Sequence, residues 1–187
     1  VNVNLSVIQL LQNDIIDTIK NALTETEVQP SNLTLEVTEG LAINDMKRMQ
    51  EVLGEIKKLG VRVALDDFGT GYASLDILQD ISVDCLKIEQ CFVAECEKNN
   101  VDRNIIKHII LLAHSLGLKV CMEGVETEGI YDVAVEEQAD ILQGYYFSRP
   151  VPAWIFAEQL ESSFSCKSCP QESTRLSSTS SAASAPR

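Results

Sequence analysis

Hard oxygen ligands accompany three apolar stretches of the chain, and together they could bind divalent metal ions. Asn4 and Glu36 lie in two of these stretches, and the adjacent carboxylates Asp66 and Asp67 end the third. Carboxylate and amide oxygens suit Mg²⁺ or Mn²⁺, and the set contains no histidine or cysteine that would indicate zinc or copper. With Asp66 as a bridge, two ions about 3.5–4 Å apart would stabilise the attacking and leaving oxygens in phosphodiester hydrolysis.

Three further polar residues follow later apolar stretches. Lys87 could neutralise phosphate charge or orient a water molecule, Glu123 could act as a general base or second-metal ligand, and Gln143 adds an amide. Each residue alone is explained as well by a strand-end or capping role, and Asp66–Asp67 alone reads most simply as a solvated turn. Their recurrence at the same end of successive strands favours one shared site.

Alternating apolar runs and amphipathic segments predict six strands separated by helices. The predicted strands span residues 1–5, 33–37, 61–66, 83–88, 118–122 and 141–147. The predicted helices span residues 7–23, with a break near Asn13–Asp14, then 44–59, 75–78, 92–97, 102–116, 127–138 and 152–160. Strands that alternate with helices form a parallel sheet with right-handed crossovers.

The regular repeat predicts an α/β fold of the (β/α)8 TIM-like barrel class, here six βα units with the first two strands missing. In such a barrel the carboxyl ends of the strands converge on one pocket. We expect residues 1–161 to form this partial barrel domain. We expect residues 162–187, a Ser-rich segment that also contains a lone Cys166-x-x-Cys169 pair, to form a disordered tail or linker.

Composition narrows the classes of partner. The 187 residues carry a net charge of −13, which argues against binding a nucleic-acid polymer or an anionic membrane surface. No run approaches the roughly 20 apolar residues of a membrane span. Six cysteines without framework spacing favour a reducing, cytoplasmic location, although a longer parent protein could be membrane-anchored. The chain starts with Val1 inside a predicted strand, which suggests a fragment.

An ordered series of motifs resembles that of the EAL domains. The motifs are Asn4-Leu5-Ser6, Glu36-Val37-Thr38-Glu39, Asp66-Asp67-Phe68-Gly69-Thr70-Gly71, Leu86-Lys87-Ile88, Glu123-Gly124-Val125-Glu126 and Gln143-Gly144-Tyr145. These domains are bacterial phosphodiesterases that linearise cyclic di-GMP to 5′-pGpG. The resemblance covers residues 1 to about 160, and the combination of D-D-F-G-T-G with E-G-V-E and Q-G-Y is highly specific.

The resemblance implies a role for each motif residue. Asn4, Glu36 and Asp66 would bind the first metal ion. Asp67, together with Asp66, would bind the second. These roles imply a two-metal site for Mg²⁺ or Mn²⁺ that acts in second-messenger signalling.

The other motif residues would serve the reaction or the assembly. Lys87 would contact the hydrolytic water, Glu123 would be base or ligand at the second metal, and Gln143 would complete the rim. Glu39 would stabilise the loop Phe68–Leu75, which in the family couples metal binding to dimerisation. A homodimer through this loop region is therefore expected, and an upstream sensory or diguanylate cyclase (GGDEF) domain fits the same family.

The sequence also departs from the family pattern. The E-A-L motif strand, with its metal-binding Glu, would lie before Val1, Glu89 stands where Asp is usual, and Met122 stands where a small residue is usual. We therefore expect the isolated chain to be aggregation-prone and nearly inactive. Two alternatives stay open: a catalytically inactive receptor that binds cyclic di-GMP, and an unrelated phosphate-metabolising barrel.

Overall fold

One sheet of six parallel strands carries the candidate residues. The structure, a computed structural model, describes residues 1–38, 46–69, 78 and 81–161. The strands are β1 (Asn2–Leu5), β2 (Thr34–Thr38), β3 (Arg62–Phe68), β4 (Cys85–Ile88), β5 (Lys119–Glu123) and β6 (Ile141–Gln143). They pair in chain order, and the sheet curls into a half-barrel, which confirms the predicted fold class of a partial TIM-like barrel.

Among the described residues, helices follow every strand except β3, in agreement with the alternating pattern. They are α1 (Val7–Leu10), α2 (Ile15–Thr26), α3 (Met46–Lys58), α4 (Gln90–Val93), α5 (Asn100–Ser115), α6 (Glu128–Glu136) and α7 (Ala153–Glu161), with a short 3-10 turn at Pro30–Asn32. The predicted break at Asn13–Asp14 is confirmed, because α1 and α2 are separate helices. The predicted helical turn at residues 75–78 lies outside the described residues except for Leu78.

The core lies between the outer face of the sheet and the apolar stripes of the helices. In α3 the buried residues Met49, Leu53 and Ile56 recur at helical spacing. Val63 and Leu65 of β3 have no exposed surface, as expected for a central strand of a parallel sheet. This packing fixes the strands and therefore the positions of the polar groups at their ends.

The sixth strand is shorter than predicted, because it ends at Gln143 and not at Phe147. Gly144 packs so closely on Val125 that a Cβ atom there would clash with the Val125 carbonyl oxygen. The Tyr146 N–H then donates to the same carbonyl, which turns the chain away from the sheet. The apolar sequence that follows Gly144 instead contributes Tyr146 and Phe147 to an aromatic cluster with Tyr131.

The chain divides into two compact units, Val1–Arg149 and Pro150–Arg187. The first contains all six strands, and the described part of the second contains α7. Residues 162–187, including Cys166 and Cys169, lie outside the described residues. No helix in the described ranges is long and apolar enough to cross a membrane.

Two aspartates at the amino-terminal side of the sheet connect neighbouring strands in the same way. Asp84, before β4, accepts a hydrogen bond from the Val63 N–H at 2.9 Å and pairs with Lys57 at 2.8 Å. Asp140, before β6, accepts one from the Val120 N–H at 2.8 Å and contacts His114 Nε2 at 2.9 Å. Each aspartate thus holds the start of the preceding strand and the end of the preceding long helix.

Substituting Asp140 with Asn should therefore destabilise the fold in a pH-dependent way. Burial acts to raise the pKa of Asp140, but His114, the Val120 N–H and Lys119 outweigh it and lower that pKa. A lowered folded-state pKa stabilises above the unfolded value of about 3.9, and the effect is lost as pH falls through the folded value. We expect Asp140→Asn to cost about 1–2 kcal/mol near neutral pH.

Urea unfolding of the Asp140→Asn variant measures this effect. Asp132→Asn, an exposed substitution on α6, is the matched control and should cost under about 0.5 kcal/mol. The difference between the two variants should shrink as pH falls below about 3.9 and through the lowered pKa of Asp140. A difference that persists in acid would contradict the ionic role assigned to Asp140.

Candidate active site

Lys87 lies at the centre of the candidate site and pairs with three carboxylates at once. Its Nζ atom is 2.9 Å from Glu36 Oε1, 2.9 Å from Asp66 Oδ1 and 2.7 Å from Glu123 Oε1. The Lys87 side chain is only 5% exposed, and that of Glu36 is 8% exposed. A buried network of this kind survives because every charged member has partners.

Each member of the network comes from a different strand. Glu36 belongs to β2, Asp66 to β3, Lys87 to β4 and Glu123 to β5. Neighbouring parallel strands lie about 4.8 Å apart, so side chains on one face of four adjacent strands can converge on one ammonium group. The structure therefore brings together four of the residues that the sequence predicts for the site.

Burial and charge within the network raise two pKa values, those of Lys87 and Glu123. Burial acts to lower the pKa of Lys87, but its hydrogen bonds with Glu123, Glu36 and Asp66 outweigh that effect and raise the pKa. Burial also raises the pKa of Glu123, and Lys87 offsets part of that rise. Lys87 therefore stays protonated near neutral pH, and Glu123 is a stronger base than an exposed glutamate.

A backbone irregularity brings Asp67 to the same place as Asp66. Adjacent residues of a regular strand point to opposite faces. Here the register between β3 and β4 shifts between Leu65 and Phe68, and Asp67 adopts a left-handed conformation with φ of 57°. Bulges of this kind re-aim side chains next to active sites, and aspartate tolerates the left-handed region better than most residues.

The bulge creates a cluster that fits a hard divalent cation. Carboxylate oxygens of Asp66, Asp67 and Glu123 lie within 4.8 Å of one another. Burial, followed by the charges of Asp66 and Glu89, raises the pKa of Asp67. A divalent cation would relieve this repulsion, and an all-oxygen donor set suits magnesium or manganese. Neither histidine belongs to the cluster, because His114 contacts Asp140 and His108 contacts the Asn104 carbonyl.

The remaining predicted site residues lie outside the Lys87 network or outside the described part of the chain. Asn4 pairs with Glu36 in the register of β1 and β2, yet it is exposed, and no hydrogen bond joins the two side chains among the described residues. Gln143 is exposed beside Glu123 in the register of β5 and β6. Glu39 and residues 70–75 of the expected loop lie outside the described residues.

The structure adds one contact that the sequence reading missed. Asn2 Nδ2 donates a hydrogen bond to Glu36 Oε1 at 2.8 Å. The signal was available, because Asn2 and Asn4 alternate along β1 and must share a face of the sheet. The motif resemblance directed attention to Asn4 alone.

The fold and the site define a parallel β/α-barrel protein with an acidic, lysine-centred site at its strand ends. The family profile of the EAL domain matches residues 1–150. The chain therefore belongs to the EAL domain family, as its motifs predicted.

Several relatives support this assignment. The "Bifunctional diguanylate cyclase/cyclic di-GMP phosphodiesterase MucR" of Pseudomonas aeruginosa is 38% identical over 151 residues, 81% of this chain and 22% of MucR. The structure "PaMucR Phosphodiesterase, c-di-GMP complex" is 37% identical with a TM-score of 0.77 and covers 83% of this chain and 63% of that one.

Two further solved structures agree with it. The EAL domain of Mycobacterium smegmatis DcpA is 32% identical with a TM-score of 0.83, over 86% of this chain and 72% of that one. Klebsiella pneumoniae BlrP1, in a manganese and cyclic di-GMP complex, is 27% identical with a TM-score of 0.74, over 80% and 38% of the two chains. The chain spans about a fifth of the length of the first curated relatives it matches.

Proposed function

We propose that this chain provides the catalytic domain of a phosphodiesterase that hydrolyses cyclic di-GMP to 5′-pGpG. The observation that carries the proposal is the buried Lys87 ammonium, which bonds to Glu36, Asp66 and Glu123 from three other strands. The named activity of MucR and the cyclic di-GMP complexes of related structures support the choice of substrate.

Four residues would hold the Mg²⁺ or Mn²⁺ ions that the proposal requires. The carboxylates of Asp66 and Asp67 form a cluster with that of Glu123. Glu36 is linked to Asp66 because Lys87 Nζ pairs with both of them. Asn4 would add an amide oxygen, because its register position places it opposite Glu36. Bound ions would supply the positive charge that stabilises the attacking and leaving oxygens.

The protein's own groups would handle the proton and the orientation of the reactants. Glu123, whose pKa is raised by burial, would accept the proton of the attacking water. Lys87 would hold that water and counter the negative charge that develops on the phosphate. Gln143, exposed at the rim beside Glu123, would contact the nucleotide. Glu39 would stabilise the loop that begins at Phe68.

Product analysis tests the proposal. The full-length protein, supplied with cyclic di-GMP and either Mg²⁺ or Mn²⁺, should yield 5′-pGpG, and a chelator should stop the reaction. Measurable binding without product would contradict the proposal and identify a receptor instead. An absence of both binding and product would exclude cyclic di-GMP as the ligand.

Asp66→Asn should weaken the binding of both metal ions, because Asp66 would bridge them. We expect the apparent affinity for Mn²⁺ to fall by about 10- to 100-fold, a range typical for disturbed metal sites. Calorimetric titration with Mn²⁺ measures the change. Asp84→Asn, which alters an aspartate outside the cluster, serves as the control, and equal affinities of the two variants would contradict the bridging role.

The proposed assembly is a homodimer through the loop region Phe68–Leu75, with a face of α5 as part of the interface. Gly69 lies so close to Phe92 of α4 that an added Cβ would be 2.9 Å from that ring, and α4 packs on α5. An apolar groove on α5 is lined by Val101, Asn104, Ile105, His108, Ile109 and Leu112. A second copy of the same face would cover it.

Ile105→Glu should therefore shift the protein from dimer to monomer, because it places a charge in the proposed interface. Leu111→Glu is the matched control, since Leu111 is 57% exposed on the same helix and does not line the groove. Sedimentation velocity distinguishes the two states. A monomeric unaltered protein, or equal behaviour of both variants, would contradict this interface.

The wider context of the domain is also proposed. A sensory or GGDEF domain would precede it in the full protein, as the name of MucR indicates for that relative. Cyclic di-GMP, and not a nucleic-acid polymer, would be the ligand, because the chain carries a net charge of −13. We place the domain in the cytoplasm, with residues 1–161 as the partial barrel and 162–187 as a tail.

A further inference from the structure

We propose that Asn2 is a positioning residue of the metal site. It would hold one oxygen of the Glu36 carboxylate so that the other can bind a divalent cation. This inference rests on the proposed function, in which Glu36 is a metal ligand. It differs from the role proposed for Asn4, because Asn2 would act through Glu36 and not touch the metal.

Glu36 Oε1 is engaged by two donors at once. Asn2 Nδ2 donates to it at 2.8 Å, and Lys87 Nζ lies 2.9 Å away. Among the described residues no hydrogen bond reaches Glu36 Oε2. The two donors therefore fix the orientation of the carboxylate of a side chain that is 8% exposed, and they leave its second oxygen able to accept a further bond.

The strand register explains why Asn2 has this position. Asn2 pairs with Thr34 and Asn4 pairs with Glu36, so both amides lie on the face of the sheet that carries Glu36. Asn2 thus approaches the Glu36 carboxylate from two residue pairs earlier along the strands. The two amides would have different roles. Asn2 donates a hydrogen bond to the Glu36 carboxylate, and Asn4 would provide an oxygen ligand to the metal ion.

A fixed carboxylate binds a metal more tightly than a mobile one. Partners that orient the ligands of a metal are about as important as some ligands, and their loss lowers metal affinity by about 10- to 100-fold. Asn2 itself is exposed and lies at the start of β1. Its replacement should therefore affect metal binding much more than folding, which makes the two roles separable.

Three variants of the full-length protein test the proposal. Asn2→Leu keeps the branching at Cγ but removes the donor. Asn2→Ser keeps a polar group that is too short to reach Glu36, and Asn2→Gln keeps the amide. Asn21→Leu, an exposed amide-to-leucine change on α2, is the matched control. The probe is Mn²⁺ alone, titrated by calorimetry and by the paramagnetic resonance signal of the free ion.

We expect Asn2→Leu and Asn2→Ser to weaken Mn²⁺ binding by about 10-fold or more, and Asn2→Gln to recover most of the affinity. When a chelator has removed the metal ions, the melting temperatures of the Asn2 variants should stay close to that of Asn21→Leu. Unchanged Mn²⁺ affinity in Asn2→Ser would overturn the inference alone. An unaltered protein that binds no Mn²⁺ would overturn the proposed metal site, and this inference with it.

Discussion

Lys87→Met is expected to lower the free energy of unfolding by about 3–5 kcal/mol, the usual cost of removing one partner from a buried ionic network. The substitution preserves much of the side-chain volume but leaves Glu36, Asp66 and Glu123 facing one another without their shared cation. Urea unfolding at neutral pH measures the loss. The same variant should also lose hydrolytic activity, because Lys87 orients the water in the proposed mechanism.

Two comparisons show whether the loss of unfolding free energy comes from the buried network and not simply from removing any lysine. Lys58→Met removes an exposed pair with Glu55 at 2.8 Å, and it should cost far less than Lys87→Met because solvent screens the pair. The destabilisation of Lys87→Met should also shrink as pH falls toward about 4, where the carboxylates begin to bind protons. A loss no larger than that of the control, or one that grows in acid, would contradict the central role of Lys87.

The strand ends were predictable from the sequence because parallel strands follow a simple rule. An apolar run buried on both faces ends where a polar residue appears, and in a barrel these ends meet. Glu123 is the last residue of β5, and Glu36, Asp66 and Lys87 lie one or two residues before the ends of their strands. The structure joins all four through one ammonium group. No pairwise contact had to be known in advance.

The limits of sequence reading lie where local geometry departs from regular alternation. Asp67 should point away from Asp66 in a regular strand, and only the bulge at its positive φ brings both into one cluster. The sixth strand stops at Gln143 because Gly144 approaches the Val125 backbone, a contact between segments that are distant in sequence. Alternation puts Asn2 on the same face of β1 as Asn4, but only the three-dimensional structure shows that the Asn2 amide reaches Glu36.

Glu123→Gln should reduce kcat for cyclic di-GMP by about 100- to 10,000-fold, the contribution typical of a positioned general base. Glutamine retains the volume and an oxygen that can accept the hydrogen bond from Lys87, which lies 2.7 Å from Glu123 Oε1. It cannot take up a proton from water. The affinity for the nucleotide should therefore change little, while turnover, followed by chromatography of 5′-pGpG, should almost disappear.

The pH profile of the full-length protein provides the decisive measurement for Glu123. Burial raises the pKa of Glu123, so kcat/KM should fall as pH decreases through that raised value. The residual activity of Glu123→Gln should lack this acidic limb. Glu126→Gln is the matched control, because Glu126 is exposed three residues later and bonds to Gln90 Nε2 at 3.3 Å. That control should keep both the rate and the acidic limb, and a Glu123→Gln variant that also keeps them would exclude Glu123 as the base.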